Sequence, residues 1–319
     1  MSKQTDNITA AGFKTSIGGQ ALIEGILMRG PDRQAIVCRK SDGTLVTKID
    51  TIKLVKEKYP VLGWPLIRGV ATFLSSMIMG VQALSWSAEQ QPEEAEGEPD
   101  KLDQWINEHF SQEAAGKLII GVAVVLGIGL SVGLFALLPT ALAGLLNRFL
   151  PLGVFRGLTE GLIRIAIFLG YLWACSQLRD IRRVWQYHGA EHKSIYCYEH
   201  GKELTVENAR EESRLHPRCG TSFLFIVVFI SVLVFSFIRT ENTWARMGLH
   251  LALLPLLVGV SYEFIKLAGR YDNAFTRAIS APGKALQRLT TAEPDDSMLE
   301  VGLTALKLVM PEEKGKDSW

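Results

Sequence analysis

From Leu118 to Asn147 the chain carries no charged side chain. At about 1.5 Å per residue, a helix over that run outreaches the ~30 Å hydrocarbon core of a bilayer. A stretch of this kind leaves a membrane-embedded helix bundle as the simplest fold for the chain. A second uncharged run, Cys219–Ile238, has the same character. Two further segments read as spans with polar ends. Leu158–Leu178 holds Glu160 and Arg164 at i and i+4, where they can neutralise one another, and Met247–Ala268 has His250 near its start and Glu263 and Lys266 near its finish.

The charges between these runs give an orientation. Arg179, Arg182, Arg183, Lys193, Lys202, Arg210, Arg214 and Arg218 crowd the connection between the second and third spans, whereas the flanking connections hold only Arg148 with Arg156, and Arg239 with Arg246. The positive-inside rule puts the basic connection in the cytoplasm. Four spans then place both termini there, with the basic tail that begins near Arg270. The net charge of +1 offers no footprint for nucleic acid. Cys38, Cys175, Cys197 and Cys219 are too scattered for a disulfide framework, and the first thirty or so residues lack the apolar core of a cleavable leader.

Around the spans, residues 1–16 read as a disordered polar tail. Residues 17–60 read as a small β-containing cytoplasmic domain, because Ala35–Cys38 and Thr44–Thr47 flank a Ser41-Asp42-Gly43 turn. Residues 61–87 mix Gly63-Trp64-Pro65 and Arg68 with a short apolar run, the pattern of an interfacial or re-entrant helix. An acidic linker fills 88–100. Residues 101–178 hold an amphipathic helix and the first two spans, 179–220 a cytoplasmic metal-site loop, 221–268 the last two spans, and 269–319 a cytoplasmic tail. The expected fold is therefore membrane α-helical: about four transmembrane helices, one re-entrant or interfacial helix, and a small N-terminal β-containing domain.

The chemistry concentrates in His188-Gly189-Ala190-Glu191-His192. On a helix the two histidines share a face at i and i+4, with Glu191 beside them. Two imidazoles so placed can share a divalent metal, and the carboxylate is positioned as a general base, as in the H-x-x-E-H pattern. Paired helical histidines are also common on solvated or hydrogen-bonded faces. A second cluster, His216-Pro217-Arg218-Cys219-Gly220, adds His and Cys at i and i+3, so His188, His192, His216 and Cys219 together make a ligand set for zinc or another divalent transition metal. Toward the N-terminus, Gly18-Gly19 permits a close backbone approach, and Glu24 and Arg29 serve either salt bridges or, with Arg68, the binding of an anionic substrate.

Gly18-Gly19-Gln20-Ala21, Glu24-Gly25, Met28-Arg29-Gly30-Pro31, Pro65-Leu66-Ile67-Arg68-Gly69, Tyr187–Lys193 and His216–Ser222, in that order, resemble the YqhQ-like family of bacterial membrane proteins. The resemblance covers roughly residues 17–290 and implies a metal-dependent membrane enzyme in the bacterial cytoplasmic membrane.

Two functions follow from these residues. One is a zinc-dependent hydrolase at the cytoplasmic membrane face, with Glu191 as base and a lipid, lipid-linked molecule or membrane peptide as substrate. The other is an oligomeric transporter, channel or scaffold. A closed four-ligand site is structural, because catalytic zinc keeps an open position, and the glycines of the first span suit helix packing between copies. If no metal binds, His188, Glu191 and His216 form a hydrogen-bonded network.

The orientation has a direct test. A cysteine introduced beside Lys202 should resist a membrane-impermeant thiol reagent in intact cells, and its labelling there would reverse the orientation.

Overall fold

The computed structural model describes residues 13–52, 59–91, 112–240, 242–271, 273–313 and 315–318. The expected linker over 88–100 and the amphipathic helix over 101–117 fall largely outside them, as does most of the N-terminal tail. The chain divides into two compact units, one of residues 1–90, 172–227 and 255–319, the other of residues 91–171 and 228–254.

The first unit is built on an antiparallel four-stranded meander: β1 (Gly18–Leu22), β2 (Gly25–Arg29), β3 (Arg33–Arg39) and β4 (Leu45–Thr51). The expected turn closes β3 onto β4, with Arg39 opposite Leu45 and Gly43 at φ +83°. The two inner strands are buried on both faces, which is why Gly25–Met28 and Ala35–Cys38 run apolar without alternation. β4, at the edge, carries Lys48 and Asp50 outward and so discourages pairing with another chain.

Four helices from distant parts of the chain cover this sheet or extend its unit. α1 (Ile67–Glu89) lays Ala83 against Leu22, Leu27, Ile36 and Cys38. The opposite face, with Ile26, Met28 and Val37, packs on Tyr187, Ala190 and Ile195 and on Met298, Leu299, Val301, Leu303 and Leu306. Those residues belong to α5 (Arg179–Glu199) and to the last helix, Asp296–Val309. The tail after residue 269 is thus no tail: it holds the helix Ala274–Thr290 and the one that completes the core. Nor is Thr15 part of a free terminus, for it is buried and its hydroxyl donates to Asp317 Oδ2 at 2.5 Å.

The apolar helices follow the expected order. α2 (Gln112–Val132) runs through a π-turn, Gly133–Leu137, into α3 (Leu138–Phe149). α4 covers Arg156–Ser176. After α5 and the short α6 (Val206–Arg210) come α7 (Gly220–Ser236) and α8 (Thr243–Arg270), so the two helices above are α9 (Ala274–Thr290) and α10 (Asp296–Val309). Four helical stretches are long and apolar enough to cross a membrane: Ile67–Glu89, Leu118–Phe149, Gly153–Ser176 and Trp244–Leu267. Gly220–Ser236, expected as a span, is a shorter apolar helix of 17 residues, and the expected interfacial segment is one uninterrupted helix of 23.

α5 and α10 approach closely because Gly302 has no side chain. A Cβ there would stand 2.6 Å from Ser194 Oγ and 3.2 Å from Ala190 O. Gly302→Leu should therefore cost about 1–3 kcal/mol by overpacking, read as a lowered unfolding midpoint of the purified protein.

Candidate metal centre

The motif of α5 is fitted on both sides. Gly189 meets the chain between α9 and α10, where an added Cβ would lie 2.2 Å from Ala292 O, and Ala190 is buried against the sheet and α10. With those two positions against the core, His188, Glu191 and His192 face the segment Arg214–Cys219.

Three donor groups converge there. The ligand atoms of His188, His192 and Cys219 lie within 4.8 Å of one another, and His188 Nε2 is 3.0 Å from Cys219 Sγ. Both imidazoles are anchored through the far nitrogen. His188 Nδ1–H donates to Thr290 O at 2.8 Å, and His192 Nδ1–H donates to Arg214 O at 2.6 Å. A carbonyl only accepts, so these bonds fix the proton on Nδ1 and leave each Nε2 for the cluster, the arrangement that holds metal-ligating histidines. His192 Nε2 is buried and has no hydrogen-bond partner among the described residues.

Electrostatics inside the cluster favour a ligand-ready sulfur. Burial alone would raise the Cys219 thiol, but His188 and His192 beside it bring it well below its usual range. Burial would likewise lower His188, and Cys219, Glu191 and the Thr290 carbonyl outweigh it and lift the imidazole to about 9. Glu191 stands at the rim. Its Oε1 accepts Gly19 N–H at 2.9 Å, its Oε2 is buried without a partner among the described residues, and burial raises its carboxyl against the pull of His188 and His192. The paired glycines now have a reason, because a Cβ on Gly19 would lie 2.4 Å from Leu27 O and 3.1 Å from the Glu191 carboxyl carbon.

His216 does not join the three. Its Nε2 faces Glu199 Oε2 at 3.4 Å, and Glu199 also pairs with Arg218 and accepts Thr15 N–H at 2.8 Å. Burial, with His192 and Arg218 nearby, lowers His216 to about 4, so it is a neutral partner of that carboxylate. Its backbone is clasped by Gln287, whose Oε1 accepts His216 N–H at 2.7 Å and whose Nε2 donates to His216 O at 2.7 Å. Gln287, Thr290 and Arg214 were not legible as site residues, since two of them act through backbone carbonyls.

The remaining candidates are in salt bridges, with one exception. Glu24 sits at φ +48° in the β1–β2 turn, where its carboxylate takes Arg183 Nη2 at 2.5 Å and Tyr187 OH at 3.1 Å. Arg68 binds Glu263 through Nε at 2.7 Å. Arg29 makes no ion pair among the described residues.

A family of proteins of unknown function, DUF1385, matches residues 64–312, a range that contains the whole three-donor cluster. The chain belongs to that family. It is also similar to YqhQ of Bacillus subtilis (strain 168), 34% identical over 293 residues, or 90% of this chain and 89% of that protein. No solved structure matches. The DUF1385 match begins after the sheet, so Gly19, Glu24 and Arg29 lie before it, whereas Arg68, Glu191 and His216 lie within it.

The geometry separates His216 from the other three donors. Metal carried by the purified protein should be lost in His188→Ala and Cys219→Ala and retained in His216→Ala, as read by elemental analysis.

Proposed function

We propose that this chain is an integral protein of the bacterial cytoplasmic membrane that holds a zinc-like divalent metal on His188, His192 and Cys219. In this reading it hydrolyses a membrane-associated substrate, with Glu191 as general base. The observation that carries the reading is the pair of Nδ1–H bonds to Thr290 O and Arg214 O, which leave both Nε2 atoms to the cluster with Cys219. Nitrogen and sulfur donors of this kind suit zinc.

A three-donor set also answers the objection raised by the sequence. Four protein ligands would close the site, whereas three leave a position for substrate or water. A bound metal would supply Lewis acidity that makes water a nucleophile near neutral pH. Glu191 then has the features of a base: a carboxyl raised by burial, one oxygen steadied by Gly19 N–H, and the other uncommitted. The scaffold reading drew on a closed four-ligand set and on the glycines of the first span, and the contact of His216 with Glu199 weighs against the closed set.

Packing supports the four-span topology. Residues 17–52, 179–219 and 274–318 interlock in one unit, so they share one side of a bilayer. The chain between any two of these segments must cross an even number of times. α7 and α8 then cross as a pair, as do α2–α3 and α4, and α1 is left at the surface with the sheet against Ala83. Lipid, or a second copy of the chain, faces Gly121, Gly127, Gly129 and Gly133, where an added Cβ would meet nothing within 4 Å. The substrate is a lipid, a lipid-linked molecule or a membrane peptide that reaches the site from the bilayer surface.

Glu191→Gln separates catalysis from structure. It should keep the metal and the fold while losing function in a complementation assay. Full complementation by a metal-replete Glu191→Gln protein would defeat the hydrolase reading.

A further inference from the structure

The second unit encloses a group of charged side chains that the metal centre does not use. Glu160 is 1% exposed, Arg164 5%, Arg246 1% and His250 3%. They come from α4 and α8 and meet Phe135 of the π-turn, Thr140 of α3, and Ser231 and Phe235 of α7. Such a cluster is costly to bury and marks a functional site by default.

Its hydrogen bonds are built in detail. Pro139 has no N–H, so it cannot donate to the carbonyl of Phe135, four residues earlier in the π-turn. Arg164 Nε donates to that oxygen at 2.8 Å. Arg164 Nη1 reaches Ser231 Oγ at 3.3 Å and Nη2 reaches Glu160 Oε1 at 3.1 Å. Arg246 Nε donates to Glu160 Oε2 at 2.6 Å, Nη1 to Ile238 O at 2.5 Å and Nη2 to Phe235 O at 3.2 Å. Thr140 Oγ1 donates to Glu160 Oε1 at 2.7 Å.

The carboxylate thus takes three donors, two on Oε1 and one on Oε2, while the guanidiniums keep N–H groups to spare. Each guanidinium offers five N–H groups, and among the described residues three on each are used by oxygen acceptors. His250 Nδ1 lies 3.3 Å from both Arg164 Nη2 and Thr140 Oγ1, and 3.2 Å from Glu160 Oε1. Its ring stacks on Phe235, and its Nε2 is buried with no partner among the described residues. When Nδ1 accepts from Arg164, the ring proton sits on Nε2, which has no acceptor among the described residues. Charge gives the same answer as donor count: among the described residues one carboxylate faces two guanidiniums, leaving one positive charge without a counter-charge at these buried side chains.

Surplus donors and a surplus single positive charge call for an acceptor that is itself negative and needs no donor in return. We propose that Glu160, Arg164, Arg246 and His250 form a binding site for a small monovalent anion of the halide class. A cation is disfavoured by the guanidiniums, and a neutral ligand leaves the charge uncompensated.

The test uses the full-length, detergent-purified protein with chloride or bromide exchanged for gluconate at constant ionic strength. Halide should raise the unfolding midpoint saturably by several degrees, as a ligand of the folded state does. The sign of the variants is the discriminating feature. Arg164→Gln and Arg246→Gln remove the surplus charge and should abolish the halide response. Glu160→Gln enlarges the surplus and should lower the half-saturating halide concentration. Where a variant does not fold, chloride NMR linewidth on the wild-type protein decides: broadening that bromide competes away supports the site. Identical midpoints in chloride and gluconate without competable broadening would overturn the proposal, as would a halide response undiminished in folded Arg246→Gln.

Discussion

Everything proposed for the metal centre depends on two hydrogen bonds to backbone carbonyls. An imidazole is ambiguous by itself, since either nitrogen can carry the proton and either can face a ligand. Thr290 O and Arg214 O remove the ambiguity for His188 and His192, and they do so from two different parts of the chain. Those carbonyls are in turn positioned by the core: Ala292 N–H donates to Trp185 O at 2.8 Å, and Arg214 Nη1 donates to Thr291 Oγ1 at 2.8 Å. The sheet, α5, α9 and α10 therefore serve one end. They set two ring nitrogens and one sulfur within reach of a single ion.

The helical spacing of His188 and His192, the glutamate beside them and the later cysteine were all legible, because i and i+4 residues on a helix share a face whatever the rest of the chain does. The β3–β4 hairpin was legible for a similar local reason, the Ser41-Asp42-Gly43 turn. His216 stands apart from the three donors because it faces a carboxylate 17 residues earlier in sequence, itself bound to Arg218 and Thr15, and spacing carries no trace of that contact. The last helix was overlooked under the heading of a basic tail. Its buried positions Met298, Leu299, Leu303, Leu306 and Val309 do follow the helical period, and what hid them was the charge that precedes them.

The two buried polar centres follow one physical rule in different ways. At the metal centre, uncommitted atoms are lone pairs and a thiol sulfur, which attract a cation. In the second unit they are N–H groups around a carboxylate that already takes three donors. Each leftover valence in a closed site specifies the sign of what belongs there.

Metal-edge X-ray absorption of the purified full-length protein tests the central claim most directly, since it counts donors around the ion without reference to any assay. The account predicts one sulfur at about 2.3 Å and two imidazole nitrogens at about 2.0–2.1 Å, with a light atom from solvent completing the shell. A shell of one sulfur and three imidazole nitrogens would bring His216 back as a ligand and make the site structural. Protein prepared without chelator and carrying no metal would contradict the account altogether.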